Sequence, residues 1–370
     1  MPANPTSPDS DTGVVFPLID GRRSTSNTGR AIVADALRGV DLVGAIAVDR
    51  ETSWRQGYVP HFRRLVEAGL PPVDAAERIA ADGLAACYLH LQWALPDEPP
   101  VSLLDAMSQP LDAADALLTE DLPGTGTPDR VLTVPLRGRR LAGDDLRRQL
   151  DAWVDAGAVE PSFRESMSQV IDDREILDLS GRTFVVLGAA AEMGPLRSLL
   201  RWGATVAAVD LPRPALWTRL LDETRDLPGR LLVPARPGSG PLADRAGIDL
   251  VHDWQTAARW IRDLPGRLVI GNYVYADGAL NVRVSAAVDA LTEIVRAGRA
   301  REDVALAFLA TPTDVFAVPR EAVEASVQAY AARRTSKILR GPLRTLSGGR
   351  LLRRNYVPGV DPGINDSIVT

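Results

Sequence analysis

The stretch RTFVVLGAAAEMGPLRSLLRWGATVAAVDLP, residues 182–212, decides the fold. Its first run, TFVVL (183–187), is apolar and rich in β-branched residues, the composition of a strand buried on both faces. The run stops at Gly188 and gives way to the small residues Ala189, Ala190 and Ala191, then Glu192, Met193 and Gly194. A helical pattern covers 194–203, and a second strand, TVAAV (205–209), ends at Asp210. Small residues at such a turn keep the main chain accessible: a bulky side chain would hold an anionic ligand away from the backbone N–H groups and the positive helix start.

Outward from this unit the same texture repeats. Strand-like runs stand at 183–187, 205–209, 230–233, 267–270 and 304–309, with a sixth candidate at 351–357. Helical patterns fill 194–203, 213–225, 254–263, 282–297 and 320–340. Alternation at this spacing implies an α/β fold, a Rossmann-type doubly wound parallel sheet spanning 176–370 and covered on both faces. In that frame the backbone of Gly188, Ala189, Ala190, Glu192, Met193 and Gly194 would grip a pyrophosphate. Asp210 follows Gly188 by 22 residues. That offset suits the acid, with Leu211 beside it, that accepts from the adenosine ribose hydroxyls. A carboxylate there repels a 2′-phosphate, so NAD is expected in preference to NADP. The bland alternative is a domain of the same shape that binds another nucleotide or nothing.

Upstream the texture differs. Residues 1–15 are polar and Pro/Ser-rich and read as a disordered tail. Residues 16–175 read as a mostly helical N-terminal domain, with helices at 53–70, 73–93, 143–156 and 161–172 and a strand at 131–136. The polar stretch GRRSTSNTGR, 21–30, suits a surface loop or, with its arginines, a wrap around an anion. No chemical motif emerges from this half, which suits a substrate cap, a partner surface or simple packing.

Composition narrows the function classes. The 370 residues suggest two domains, and 45% hydrophobic with 24% charged residues is ordinary for a chain with a real core. A net charge of −6 argues against nucleic-acid or anionic-membrane partners. No apolar run is long enough to span a bilayer, and the start MPANPTSPDSDTG lacks the features of a signal peptide, so a cytoplasmic location is expected. The single cysteine, Cys87, excludes an internal disulfide, and His61, His90 and His252 lack ligand-like spacing, so no metal site is expected. Lys337 is the only lysine among 42 basic residues. In so arginine-biased a chain, a retained lysine suits either a place where a compact point charge does what a planar fork does not, or an ordinary surface charge.

The C-terminal half resembles the short-chain dehydrogenase/reductase family. Asp178-Leu179-Ser180-Gly181-Arg182 precedes the first strand, and LGAAAEMG (187–194) is similar to the family's Gly-rich entry, with Glu192 in place of its middle glycine. GIDLVHDW (247–254) resembles the adenine segment, implying Asp249 and Leu250 as contacts. IGNYVYADG (270–278) resembles the Asn-Ala-Gly strand end, implying Asn272 and Tyr273 beside the cofactor. RNYVPGV (354–360) resembles the segment over the nicotinamide, implying Pro358 and Gly359. In RRTSK (333–337), Ser336 and Lys337 match the family's catalytic helix, whereas Arg333 stands where the tyrosine belongs.

An arginine keeps its proton at neutral pH and cannot serve as the acid. Tyr330, seven residues before Lys337 and on the same helix face, is the candidate replacement. Lys337 would hold the nicotinamide ribose, and Thr311 or Thr313 would orient a substrate oxygen. The resemblance implies an NAD-dependent oxidoreductase acting on a small-molecule carbonyl or alcohol, as a homo-oligomer. The rival expectation is a non-catalytic nucleotide-binding protein. The family continues beyond the Pro-Gly segment with another helix and strand; here either the domain is trimmed or an N-terminal segment completes the sheet.

Overall fold

The computed structural model describes residues 11–70, 73–111, 116–308, 315, 317–332 and 367–369. The chain forms two compact units, both discontinuous in sequence. The first comprises Met1–Ile32, Leu84–Val131 and Arg174–Ala310; the second Val33–Gly83, Leu132–Asp173 and Thr311–Thr370. The sequence texture changes near residue 176, but the contacts divide the chain elsewhere, because segments of the first half supply strands to the first unit.

In the first unit, besides a short hairpin of Leu18–Ile19 with Arg22–Arg23, the strands are β1 (Gly13–Val15), β2 (Gln92–Ala94), β3 (Val101–Ser102), β4 (Leu118–Leu122), β5 (Arg182–Leu187), β6 (Thr205–Val209), β7 (Arg230–Ala235), β8 (Arg267–Asn272) and β9 (Val304–Phe308). Its principal helices are α1 (Leu196–Arg201), α2 (Pro214–Thr224), α3 (Trp254–Arg262) and α4 (Gly278–Ala297). The main sheet has six strands in the order β9-β8-β5-β6-β7-β4. Every pairing is parallel except that of β4 with β7. The chain lays β6 and β7 to one side of β5, then returns to lay β8 and β9 on the other. The carboxyl ends of β5 and β8 therefore flank the point where the winding reverses.

The central parallel strands, β5 to β8, bury residues on both faces, as strands covered on both sides must, whereas β9 at the edge is largely exposed. Val185, Leu187, Ala207, Val209 and Ile270 join one core with Trp254, Ile261, Ala287 and Leu291 of α3 and α4. Val186, Val206, Ala208 and Val233 join another with Leu196, Leu200, Trp217 and Leu220 of α1 and α2. The result is a mixed α/β fold around a six-stranded, mostly parallel sheet.

Three features depart from the sequence reading. Gly13–Val15, expected in the tail, pairs antiparallel with β2, and Val14 and Val15 are fully buried. The buried Arg283 of α4 secures this strand by donating to the Thr12 and Val14 carbonyls. Leu118–Leu122, LTEDL, had no strand expectation because its polar composition hides it; it covers the β7 edge in full register from Leu231↔Leu122 to Ala235↔Leu118. A segment from the first half of the chain thus lies at the β7 edge of the sheet. Finally, the polar stretch 21–30 is not a loop: Arg22–Arg23 pairs antiparallel with Leu18–Ile19 in a short hairpin. Thr25–Arg38 is a helix, and Ser24 Oγ accepts from the Asn27 amide at 3.2 Å, the usual N-terminal cap.

The second unit holds helices Leu42–Asp49, Trp54–Gly69, Gly143–Asp155 and Pro161–Asp172 and a hairpin of Val134–Leu136 with Arg139–Leu141. Asp41 caps Leu42–Asp49 by accepting from Gly44 N–H at 2.9 Å and also binds Arg64. Leu141, Leu146 and Leu150 form a separate small core under the hairpin. The strand expected at 131–136 is confined to Val134–Leu136. Helix Arg320–Ala332 and the pairing of Ala317–Pro319 with Ser367–Val369 are described as well. The candidate strand 351–357 lies outside the described residues. Among the described residues, no helix is long and apolar enough to cross a membrane.

Candidate functional site

The site grows from the carboxyl end of β5. Gly188 has φ +82°, and a Cβ there would lie 2.9 Å from the Tyr273 carbonyl and 3.0 Å from Val274 N. Only glycine lets the turn leave β5 while lying flat against the chain leaving β8. The Gly188 and Ala189 amides donate to the Val209 carbonyl at 2.9 and 3.0 Å, and Ala191 N–H donates back to Gly188 O at 3.0 Å. Gly194 N–H closes the loop on Ala191 O at 2.9 Å.

Further amides of this corner are not spent on the fold. Those of Glu192 and Met193, and those of Leu196, Arg197 and Ser198 opening α1, find no acceptor among the described residues. Glu192 is exposed and Met193 is 79% exposed, so side chains leave this corner open. α1 begins at Leu196 and runs for six residues, later and shorter than the 194–203 expected.

Asp210, at the tip of β6, turns toward this loop. One oxygen accepts from Ala190 N–H and the other from its neighbour Leu211 N–H, each at 2.8 Å. The buried Trp217 indole donates to Leu211 O at 3.0 Å and steadies the bend. A carboxylate offers about four lone-pair sites. Two are used here, and one remains on each oxygen.

The segment 247–250 passes over the same strand end, with Ile248 N–H donating to Asp210 O at 2.8 Å. Asp249 is half-buried and already engaged, accepting from Val251 N–H at 2.9 Å and pairing with His252 Nδ1 at 3.1 Å. His252 Nε2 is buried with no partner among the described residues. The Asp249–His252 pair was absent from the sequence reading; its signal is an Asp-x-x-His spacing that a search for metal ligands passes over. Leu250, expected at the adenine, is 6% exposed and belongs to the core.

Asn272, at the end of β8, lies beside Leu187 and Phe308 in the sheet and accepts from Val274 N–H at 3.1 Å. Its side-chain amide donors are free of partners among the described residues. Tyr273 N–H donates to Leu187 O at 2.9 Å, and the Tyr273 ring packs beside the α1 core, where burial pushes its phenol pKa up. Arg213, three residues beyond Asp210 at the start of α2, is exposed and has no ion-pair partner among the described residues.

The structure thus gathers Gly188 to Gly194, Asp210, Leu211, Asp249, Asn272 and Tyr273 along the carboxyl ends of neighbouring strands. Thr311, Thr313, Lys337, Pro358 and Gly359 lie outside the described residues, as do Arg333 and Ser336. Tyr330 is in helix Arg320–Ala332, of which only the backbone is described at that position. Among the described residues no group of three or more His, Cys, Asp or Glu is placed to hold a metal ion. Comparison with known proteins brings no relative: no family model, no curated protein and no solved structure matches this chain.

Proposed function

We propose that the first unit is a Rossmann-type domain that binds a dinucleotide across the carboxyl ends of β5 and β6, with NAD preferred to NADP, and that the chain is an NAD-dependent oxidoreductase resembling short-chain dehydrogenases. The observation that carries this reading is the joint placement of Gly188, the unpartnered turn amides and Asp210 beside the point where the sheet's winding reverses, the place where open α/β sheets take their ligands. The amides of Glu192, Met193 and the α1 start would meet the pyrophosphate, and the spare lone pairs of Asp210 would accept from the ribose. Asn272 supplies free donors near the next strand end. Asp249, already bonded to His252, has reduced capacity for an adenine contact.

The bound cofactor would supply hydride chemistry toward a carbonyl or alcohol. On the family resemblance, Lys337 holds the ribose, Thr311 or Thr313 the substrate oxygen, and Tyr330 carries the proton. A cytoplasmic location and a homo-oligomeric state belong to the same reading. A second reading, a non-catalytic dinucleotide-binding protein, is favoured by Arg333 in the tyrosine place and Glu192 in the turn.

The test is calorimetric titration with NAD and NADP, followed by a scan of alcohols and aldehydes for change at the reduced-nicotinamide absorbance. NAD binding tighter than NADP, abolished in Asp210→Ala, supports the domain reading; no binding of either at millimolar concentration refutes it. Turnover lost in Lys337→Ala supports the oxidoreductase, and binding without turnover supports the second reading.

A further inference from the structure

The opposite, amino-terminal end of the sheet carries a charge pattern that the proposed dinucleotide site does not use. Three parallel strands begin with the same pair: Gly181-Arg182 at β5, Gly229-Arg230 at β7 and Gly266-Arg267 at β8. The fold neutralises one of them, since Arg230 grips Asp121 of β4 with both arms of its fork. The other two are treated differently. Arg182 and Arg267 are direct partners in the parallel register, so their side chains leave the same face of strands about 4.8 Å apart. Like charges placed so oppose the pairing of the strands. The Arg182 side chain has no hydrogen bond or ion pair among the described residues, and Arg267 pairs with Asp303 at 3.7 Å.

A third guanidinium joins them. Arg299 is held in place by the carbonyls of Arg262 and Leu264, each at 2.8 Å, and of Gly266, with no carboxylate partner among the described residues. Arg182, Arg267, Arg299 and Asp303, with Ser180 and the turn glycines 181 and 266, line an open hollow of about 580 Å³. The two glycine amides have no acceptor among the described residues. Three cations against one anion leave the hollow positive in a chain whose net charge is −6.

We propose that this hollow is a binding site for a phosphate group. A planar carboxylate is satisfied by a single arginine fork, whereas a tetrahedral dianion accepts from two or three at once and relieves the Arg182–Arg267 repulsion. The Asp303 carboxylate beside Arg267 orients that fork and limits the site's net charge. The six residues of β5 separate the hollow from the Gly188 turn by about 20 Å, so one pyrophosphate does not serve both.

The experiment uses the full chain and two probes, inorganic phosphate and phenyl phosphate, at ionic strength fixed with sodium chloride. Binding is followed by calorimetry and by the thermal midpoint. Phosphate is expected to raise the midpoint and to bind at low millimolar concentration or better. Arg182→Gln and Arg267→Gln each weaken binding at least tenfold, whereas Arg301→Gln, outside the hollow, leaves it unchanged. Without phosphate, Arg182→Gln is expected to melt at or slightly above the wild-type temperature, because a repulsion is removed; a purely structural arginine gives the opposite sign. Preference for phenyl phosphate over inorganic phosphate assigns the site to a phosphomonoester, and the reverse assigns it to free phosphate. No effect of either probe beyond chloride, or full binding retained in the Arg182→Gln, Arg267→Gln double variant, overturns the proposal.

Discussion

Replacing Asp210 with alanine separates two roles that the carboxylate has in one place. It accepts two hydrogen bonds of 2.8 Å, from Ala190 in the turn and from Leu211 beside it. Hydrogen bonds to a charged acceptor are worth roughly 1.5–3 kcal/mol each when well buried. Asp210 and Ala190 both keep partial contact with solvent. Water recovers part of each bond on truncation, and the expected loss is about 2 kcal/mol in total. At roughly 2–4 °C per kcal/mol for a body of this size, the thermal midpoint falls by about 4–8 °C. Asp210→Asn keeps one carbonyl oxygen but turns its NH₂ toward the other amide, so it is expected to lose about half as much. The assay is thermal and urea unfolding, with hydrogen exchange read at Ala190, whose protection should drop in Asp210→Ala and little elsewhere. A variant that melts within about 1 °C of wild type, with Ala190 still protected, would refute the assigned bonds. Loss of NAD affinity with unchanged stability would assign the carboxylate to the ligand alone.

Other consequences are equally direct. Gly188→Ala forces a side chain into positive φ against the Tyr273 main chain, and a loss of about 3 kcal/mol or more is expected in urea unfolding; wild-type stability would show the turn to be misdescribed. Arg283→Met leaves the Thr12 and Val14 carbonyls without their buried donor, so about 2–4 kcal/mol is lost and the Val14 amide, which donates to Val251 O, exchanges faster; unchanged Val14 exchange would remove Arg283 as the anchor. Asp289 titrates at about 6, raised by desolvation and then by Glu293. A raised carboxyl pKa means the folded state holds its proton more tightly than the unfolded chain, so this residue's stabilising contribution is complete below pH about 4 and is lost as pH rises through about 6. Asp289→Asn is therefore expected to be more stable than wild type at pH 8, by about 1 kcal/mol given its solvent contact, and equal to it near pH 4; an equal difference at both pH values would contradict the titration.

The sheet was legible in the sequence because burial on both faces leaves no room for polar residues. TFVVL, TVAAV and LVI (268–270) stand out against their neighbours, and the five strand expectations from 183 to 309 fall within two residues of the observed strands wherever the chain is described. The N-terminal contributions were not legible, for a different reason in each case. LTEDL is an edge strand with three polar residues in five and none fully buried, so its place is set by the open edge of β7 rather than by its own apolar pattern. Gly13–Val15 is three residues long, too short to show a period, and takes its stability from Arg283, distant in sequence. Thr25–Arg38 opens with Thr, Ser and Asn, weak helix formers that disguise a capped start. At the site, the structure sets the turn after Gly188 beside Asp210 through the Ala190 amide. Spacing alone says nothing of how a carboxylate is shared, so neither the Asp210–Ala190 bond nor the Asp249–His252 pair was visible.

That sharing sets how the carboxyl end of the sheet would receive a ligand. Asp210 holds the Ala190 and Leu211 amides, Asp249 holds Val251 and His252, and Asn272 holds the Val274 amide. Each polar residue fixes its own loop and retains only part of its hydrogen-bonding capacity. A side chain that is immobilised in the fold loses little further freedom when a ligand arrives, so the entropic cost of binding is carried by folding instead. The contrast lies within the same turn: Ala190 is tied down, whereas Glu192 and Met193 are solvent-exposed with unpartnered amides. Ligand binding at this corner should therefore slow hydrogen exchange at Glu192 and Met193 by tenfold or more while leaving Ala190, already bonded, within about twofold. Protection appearing first at Ala190 would mean that the Asp210 bond forms only with the ligand, and the corner would be built by binding rather than by the fold.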